Sequence, residues 1–287
     1  MRTKPWEVSD ELWAIVEPLI PTQEELRAPD KGYKRKTGAG RKRKYDDRTY
    51  FAGIVYVLRT GIIWNAFPRE KFGGLGSSAL HNRFLLWERA GFFEKLWEAG
   101  LCKYDELRGI SWKWQAADGC QIKAPLAQES VGANPTDREK NGSKWEILVE
   151  ENEVPLSLVV DGANRHDSQL LEPLLEQRFQ PVEPLSEEPN LCLDAGFVGK
   201  EQVVIDNNFT PHIRPRGEEK KELENNPSFH AKRWVVEACN SWLKRFRKVC
   251  PRYEKTTRSF CALIHLAMAL ITINKALKQP NKKLGQS

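Results

Sequence analysis

The spacing of hydrophobic positions changes near residue 110, from recurrence every three or four residues before it to alternation after it. In SDELWAIVEPLIP, residues 9–21, Leu12, Val16 and Leu19 recur at helical spacing behind Ser9, a good N-cap, and Pro21 stops the run. DDRTYFAGIVYVLRTG, residues 46–61, repeats the pattern with Phe51, Ile54, Val57 and Leu58 inward, Asp46 or Asp47 as cap and Gly61 as the stop. A third helix is expected from Ser77 or Ser78 in SSALHNRFLLWERAG, burying Leu80, Phe84 and Trp87 and leaving His81, Asn82, Arg83 and Arg89 more exposed. FFEKLWEAG makes a fourth. The second and third are joined by a short Gly-containing connection, which is the layout of a helix-turn-helix whose last helix enters a major groove. A plain helical bundle would show the same pattern.

Beyond residue 110, ISWKWQAAD reads as a strand ending at Asp118, and KWEILVE with VPLSLVVDG as a hairpin around Glu151, Asn152 and Glu153. HDSQLLEPLLEQ follows as a helix, NLCLDAGF as an apolar strand ending at Asp194, and FTPHIRP as another strand. The stretch AKRWVVEACNSWLKRFRK, residues 231–248, is an amphipathic helix. Arg233, Glu237, Asn240, Lys244 and Arg247 form its polar stripe, and Val235, Cys239, Trp242, Phe246 and Val249 the opposite one. TTRSFCALIHLAMALITINKALK closes the chain as a core helix. The fold class expected is α/β, a ribonuclease H-like domain with a mixed sheet covered on both faces, preceded by an all-α helix-turn-helix-like DNA-binding domain. The domains would be 1–108, including a basic loop at 31–44, then 109–278, with a disordered tail at 279–287.

Composition narrows the function classes. The 287 residues are 40% hydrophobic and 29% charged, enough to bury a core, and the net charge of +6 is compatible with a polyanionic partner. In KGYKRKTGAGRKRK, residues 31–44, eight Lys or Arg stand among three glycines without an acid. Such a run cannot pack, so it either lies along phosphates or is simply a solvated loop. Six cysteines without a C-x-x-C pair argue against a zinc module and a disulfide framework. MRTKPWEVSDEL lacks the apolar region of a signal peptide, and CALIHLAMALI is too short to span a bilayer. The expectation is a cytoplasmic, nucleoid-associated protein without membrane contact.

Asp118 and Asp194 each follow an apolar strand, where α/β sheets present functional groups, and Glu237 sits on a helix able to pack beside those strand ends. Each also has a plain reading: a turn former before Gly119, an Asx-turn before Ala195, and an i,i+4 ion pair with Arg233. Together the three suit two hard divalent cations.

The chain resembles the DDE transposases of bacterial insertion sequences, in the group that includes insertion sequences four and five. The resemblance rests on GRKRKYDDRTYFAGIVYVLRTGIIWNAFP, AADGCQIKAP, NPTDREKNGSK, VPLSLVVDGANRHDSQLLEPLL, LCLDAGFVG, RWVVEACNSWLKRFRK and PRYEK, which follow one another over most of residues 40–255. It implies that Asp118, Asp194 and Glu237 are the catalytic, metal-binding triad for two Mg²⁺ ions, with Mn²⁺ as a substitute. The family's glutamate signature is tyrosine, two residues, arginine, three residues, glutamate, six residues, lysine. Arg233, Glu237 and Lys244 match it, Arg233 and Lys244 as phosphate contacts, but His230 stands where the family has tyrosine. The implied partners are double-stranded DNA, as element ends and target, and further copies of the chain in a dimer or higher assembly on DNA. Within the head, Arg41, Lys42, Arg43 and Lys44 would touch phosphates and His81, Asn82 and Arg83 bases. The function expected is binding of terminal inverted repeats with cleavage and strand transfer. A metal-dependent nuclease of the same fold and a catalytically silent DNA-binding regulator remain as alternatives. Asp167 reads as an N-cap, Lys140 and Lys144 as loop residues near the sheet edge, and Trp64 and Trp145 as core with only a speculative stacking role.

Overall fold

The computed structural model describes residues 4, 6–22, 25–26, 44–213 and 234–278; Arg41, Lys42, Arg43, His230, Arg233 and the 279–287 tail lie outside the described residues. α1 (Asp10–Val16) starts where the Ser9 hydroxyl accepts from the Leu12 N–H. In α2 (Asp47–Thr60) the Asp46 carboxylate accepts from the Thr49 N–H at 2.7 Å, and Gly61 ends the helix at φ 73°, a left-handed conformation that glycine adopts without strain. Two 3-10 turns, Trp64–Ala66 and Arg69–Phe72, lead to α3 (Ser77–Arg89), whose start carries no side-chain cap. α4 (Phe92–Arg108) runs further than FFEKLWEAG because Leu101 and Tyr104 continue its buried stripe.

The sheet comprises β1 (Trp114–Lys123), β2 (Gly132–Asn134), β3 (Lys140–Glu150), β4 (Pro155–Gly162), β5 (Asn190–Leu193) and β6 (Thr210–Ile213). β3 pairs antiparallel with β1 on one edge and with β2 and β4 on the other, while β5 runs parallel to β1 and β6 parallel to β5. The order β4-β3-β1-β5-β6, with its first three strands antiparallel and its last two parallel to β1, is the ribonuclease H-like arrangement that the sequence predicts. Two details differ. β1 does not end at Asp118 but continues to Lys123, because Cys120 and Ile122 prolong the buried alternation. β2, a Gly-Ala-Asn stretch without a β-branched residue, gave no strand signal.

α5 (Asp167–Glu176) covers β3 and β4, α6 (Glu201–Asp206) lies by β6, α7 (Trp234–Lys244) crosses β1 and β3, and α8 (Thr257–Leu277) lies along α4. The 21-residue α8 holds an 18-residue window of mean hydropathy 1.8, long and apolar enough by length and composition to cross a membrane, and 72% of that window is buried within the protein. On α7, Asn240 is buried and Trp242 is 38% exposed, the reverse of their expected stripes, with Val236 and Leu243 facing inward instead. One core runs from Phe51, Phe84 and Trp87 through Phe92 and Leu101 to Ile147, Leu193 and Leu263. Burial of each large side chain contributes about 1.5–3 kcal/mol. Polar links join the same layers: Arg258 meets the buried Glu88 at 2.6 Å, and the Lys248 N–H donates to the Leu58 carbonyl. All six cysteines are free thiols, and Cys102 alone among them is exposed.

Candidate active site

Alternation along β1 sends Asp118 and Cys120 to one face of the sheet and Gly119 to the other. Asp118 lies opposite Ile147 and Cys120 opposite Trp145 on β3. The Trp145 Nε1–H donates to Asn240 Oδ1 at 2.7 Å, so α7 covers the Asp118 face. Glu237, one turn before Asn240, is exposed there. Cys192 of β5 pairs with Ala116 of β1, so the parallel strands bring Asp194, just past β5, alongside Asp118. Asp194 caps the 3-10 turn Ala195–Phe197, its Oδ1 accepting from the Gly196 N–H at 2.8 Å. The Asx-type local role is therefore real, and it orients the carboxylate where the strand ends.

Electrostatics link the three carboxylates. Burial pushes the Asp118 carboxyl up to about 6, opposed by the Gly119 N–H that bonds its Oδ1 and reinforced by the negative charges of Asp194, Asp167 and Glu237. Three further acids thus act on one half-buried carboxylate. Among the described residues no group of three or more His, Cys, Asp or Glu stands close enough to hold one ion; the carboxylates share a field rather than a point. Their chemistry fits Mg²⁺ or Mn²⁺ nonetheless, because carboxylate oxygens are hard ligands and a dication would relieve the raised Asp118 carboxyl. Lys244 ends α7 with its ammonium beside the Cys120 thiol, which burial raises and this cation lowers. A positive group thereby borders the acidic face.

The opposite face holds a second cluster that the sequence reading did not assign to a site. Lys144, placed on β3 and not in a loop, is 3% exposed; its ammonium donates to the Asp167 carboxylate and, at 2.8 Å, to the Arg165 carbonyl. His166 caps α5 in place of Asp167, which is the first helical residue. Glu146, opposite Gly119, is fully buried with the Asp167 carboxyl as its polar neighbour. Burial, then the charge of Asp167, pushes its pKa well above the usual carboxylate range. The legible signal was that Lys144, Glu146 and Glu150 of KWEILVE alternate onto one face, since charged groups on the covered face of a strand need partners.

In the head, Asn82 is exposed on α3 as expected, while His81 is half-buried with its ring 4.8 Å from that of Trp64. Burial, then the charge of Lys248, lowers its pKa. Arg83 departs from expectation. It is 8% exposed, pairs with Asp47 at 3.1 Å and lies over the Tyr50 ring, so its guanidinium ties α3 to α2 and is not free to read bases. Lys44 is exposed beside the Tyr45 ring. Trp145 is fully buried and cannot stack on a base. PRYEK is structural: the fully buried Arg252 donates to Ser143 Oγ at 2.9 Å and to the Ser130 and Glu254 carbonyls, and its N–H bonds the Lys123 carbonyl at the end of β1.

Comparison with known proteins gives this geometry its context. A family model described as "transposase of IS4/5 family" matches residues 8–97, and one described as "Transposase DDE domain" matches residues 192–274, which include Asp194 and Glu237. The transposase for insertion sequence element IS402 of Burkholderia cepacia is 31% identical over 151 residues, covering 50% of this chain and 69% of that protein. A 16.2 kDa protein of the same element and organism is 30% identical over 128 residues, covering 45% and 80%. Among solved structures, a pre-cleavage Mos1 transpososome aligns over 86% of this chain and 83% of its own at 10% identity and a TM-score of 0.28, and a Mos1 strand transfer complex over 85% and 82% at 12% and 0.27; likenesses so slight carry no weight here. By its sequence relatives, the chain belongs to the IS4/5 family of transposases.

Proposed function

We propose that this transposase binds the terminal inverted repeats of its element, cuts the DNA strand there and joins the freed 3′-hydroxyl to target DNA. The observation that carries the reading is that Asp194, at a strand end, and Glu237, on a crossing helix, bring negative charge to bear on Asp118 of a central strand, on a face bordered by Lys244. These carboxylates would hold Mg²⁺ or Mn²⁺, which when bound supply Lewis acidity to the attacking and leaving oxygens. The chain's own residues do the rest. The strand pairing of β1 fixes Asp118; the Gly196 N–H orients Asp194; the Trp145–Asn240 bond sets the position of α7 and hence of Glu237. Lys244 and, by the family signature, Arg233 neutralise the phosphates that the acids would otherwise repel. Asn82 and His81 on α3 contact bases, and Lys44 with the basic residues before it, Arg41, Lys42 and Arg43, contact phosphates. Two ends cut in concert call for at least two copies of the chain on DNA.

The family membership favours joining over cutting alone. A gel assay on labelled end DNA with an unlabelled target separates them: products longer than the substrate are expected with Mg²⁺, and cleavage fragments without joined products would make the protein a nuclease.

A further inference from the structure

A cavity of about 340 Å³ lies where the end of α2, the turn after α7 and the end of α8 meet. Arg59, Arg245, Lys275 and Lys278 line it with Trp242 and Phe246, and among the described residues no carboxylate does. Lys275 is already neutralised by Glu153 at 3.0 Å. The other three cations have no ion-pair partner among the described residues. The Arg59 guanidinium lies 3.9 Å from the Phe246 ring centroid, and its Nε is buried without a hydrogen bond. Arg245 lies 4.0 Å over Trp242 in the same way. Stacking of this kind fixes the plane of a guanidinium and leaves its edge N–H groups free to fork an oxyanion. Burial without a counter-charge also lowers the Arg59 pKa to about 10, the cost of a cation held ready for an anion.

We propose that this cavity seats a backbone phosphate of duplex DNA, gripped by Arg59 and Arg245 with Lys278 at the rim, apart from both the carboxylate triad and α3. The inference rests on the DNA-acting reading above and deepens it by adding a contact surface. It is tested by fluorescence anisotropy of a labelled duplex of arbitrary sequence across a salt series. The variants are Arg245→Gln, Lys278→Gln and the double variant Arg59→Met with Arg245→Gln, each checked by circular dichroism and thermal melting. In the double variant the slope of log K against log salt should shrink by about 0.9, one phosphate's worth of released counterion. Arg245→Gln or Lys278→Gln alone should weaken binding roughly 2- to 5-fold at fixed salt. Folded variants with unchanged slope and affinity overturn the proposal. Inorganic phosphate at constant ionic strength, competing with the duplex while the variants keep the wild-type slope, assigns the cavity to a free anion and also overturns it. A wild type that does not bind the duplex defeats the DNA reading as well, whereas wild-type binding with unaltered variants defeats this site alone.

Discussion

Trp145 of β3 and Asn240 of α7, nearly a hundred residues apart in sequence, share a buried 2.7 Å hydrogen bond that fixes how α7 lies across the sheet. Glu237 is carried on the same helix one turn earlier, so its placement beside Asp118 depends on this bond. Asn240→Ala leaves the indole N–H buried and unpaired, at a cost of about 1–3 kcal/mol. Urea melts should show that loss, and cleavage should fall by more than DNA binding does. Equal stability and equal cleavage would detach Glu237 from this contact.

Gly119 is dictated by the other face. A Cβ there would stand 2.6 Å from Asp167 Oδ1 and 3.2 Å from Glu146 Oε2, and Asp167 is held in place by Lys144. Gly119→Ala is therefore expected to destabilise by about 1–3 kcal/mol. Shortening the obstacle with Asp167→Gly should make Gly119→Ala cheaper in a double-mutant cycle; strict additivity would mean that the two side chains do not compete for this space.

The raised carboxyls make the metal-free protein pH-dependent in a definite direction. Folded Asp118, at about 6 against an ordinary 3.8, holds a proton that the unfolded chain releases between those values, so stability present below about 4 is lost as pH rises through 6. Glu146 acts in the same direction. Asp118→Asn should then raise stability at pH 7 by about 1–2 kcal/mol, allowing for its partial exposure, while abolishing cleavage. Added Mg²⁺ should raise the melting temperature of the wild type and leave that of Asp118→Asn unmoved. A variant less stable than wild type at pH 7, or one equally responsive to Mg²⁺, would refute this assignment.

The Arg252 guanidinium joins the Ser130 loop, Ser143 of β3 and the Glu254 carbonyl by hydrogen bonds that only a planar fork can make together, while its backbone N–H holds the end of β1. Arg252→Lys should cost nearly as much as Arg252→Ala, about 3 kcal/mol or more, because either leaves several buried acceptors unpaired. Chemical denaturation measures it, and full rescue by lysine would reduce the role of Arg252 to its charge.

Much of this architecture was legible because the relevant signals are local. Asp46 and Gly61 delimit α2, and alternation marks β1, β3 and β4. The three candidate acids could be picked out because Asp194 and Glu237 sit in recognisable blocks and Asp118 follows an apolar run. What local pattern does not carry is the identity of the neighbour across space. Arg83 looks like an exposed base reader until Asp47 and Tyr50 arrive from α2, and Lys144 looks like a loop cation until α5 brings Asp167 over β3. Asn240 sits on a polar stripe in sequence, yet the indole of Trp145 makes burial the cheaper arrangement. Those pairings depend on how helices dock on the sheet, and a helical wheel contains no information about docking.

The role of the three acids is tested most directly by cleavage and strand transfer of DNA bearing the element's own ends, in Mg²⁺, by wild type beside Asp118→Ala, Asp194→Ala and Glu237→Ala. The wild type is expected to cut and join, and each variant to bind the DNA with wild-type affinity but form no product. Variants that cut as well as wild type would contradict that role and return Asp194 and Glu237 to local roles as a turn cap and a surface charge.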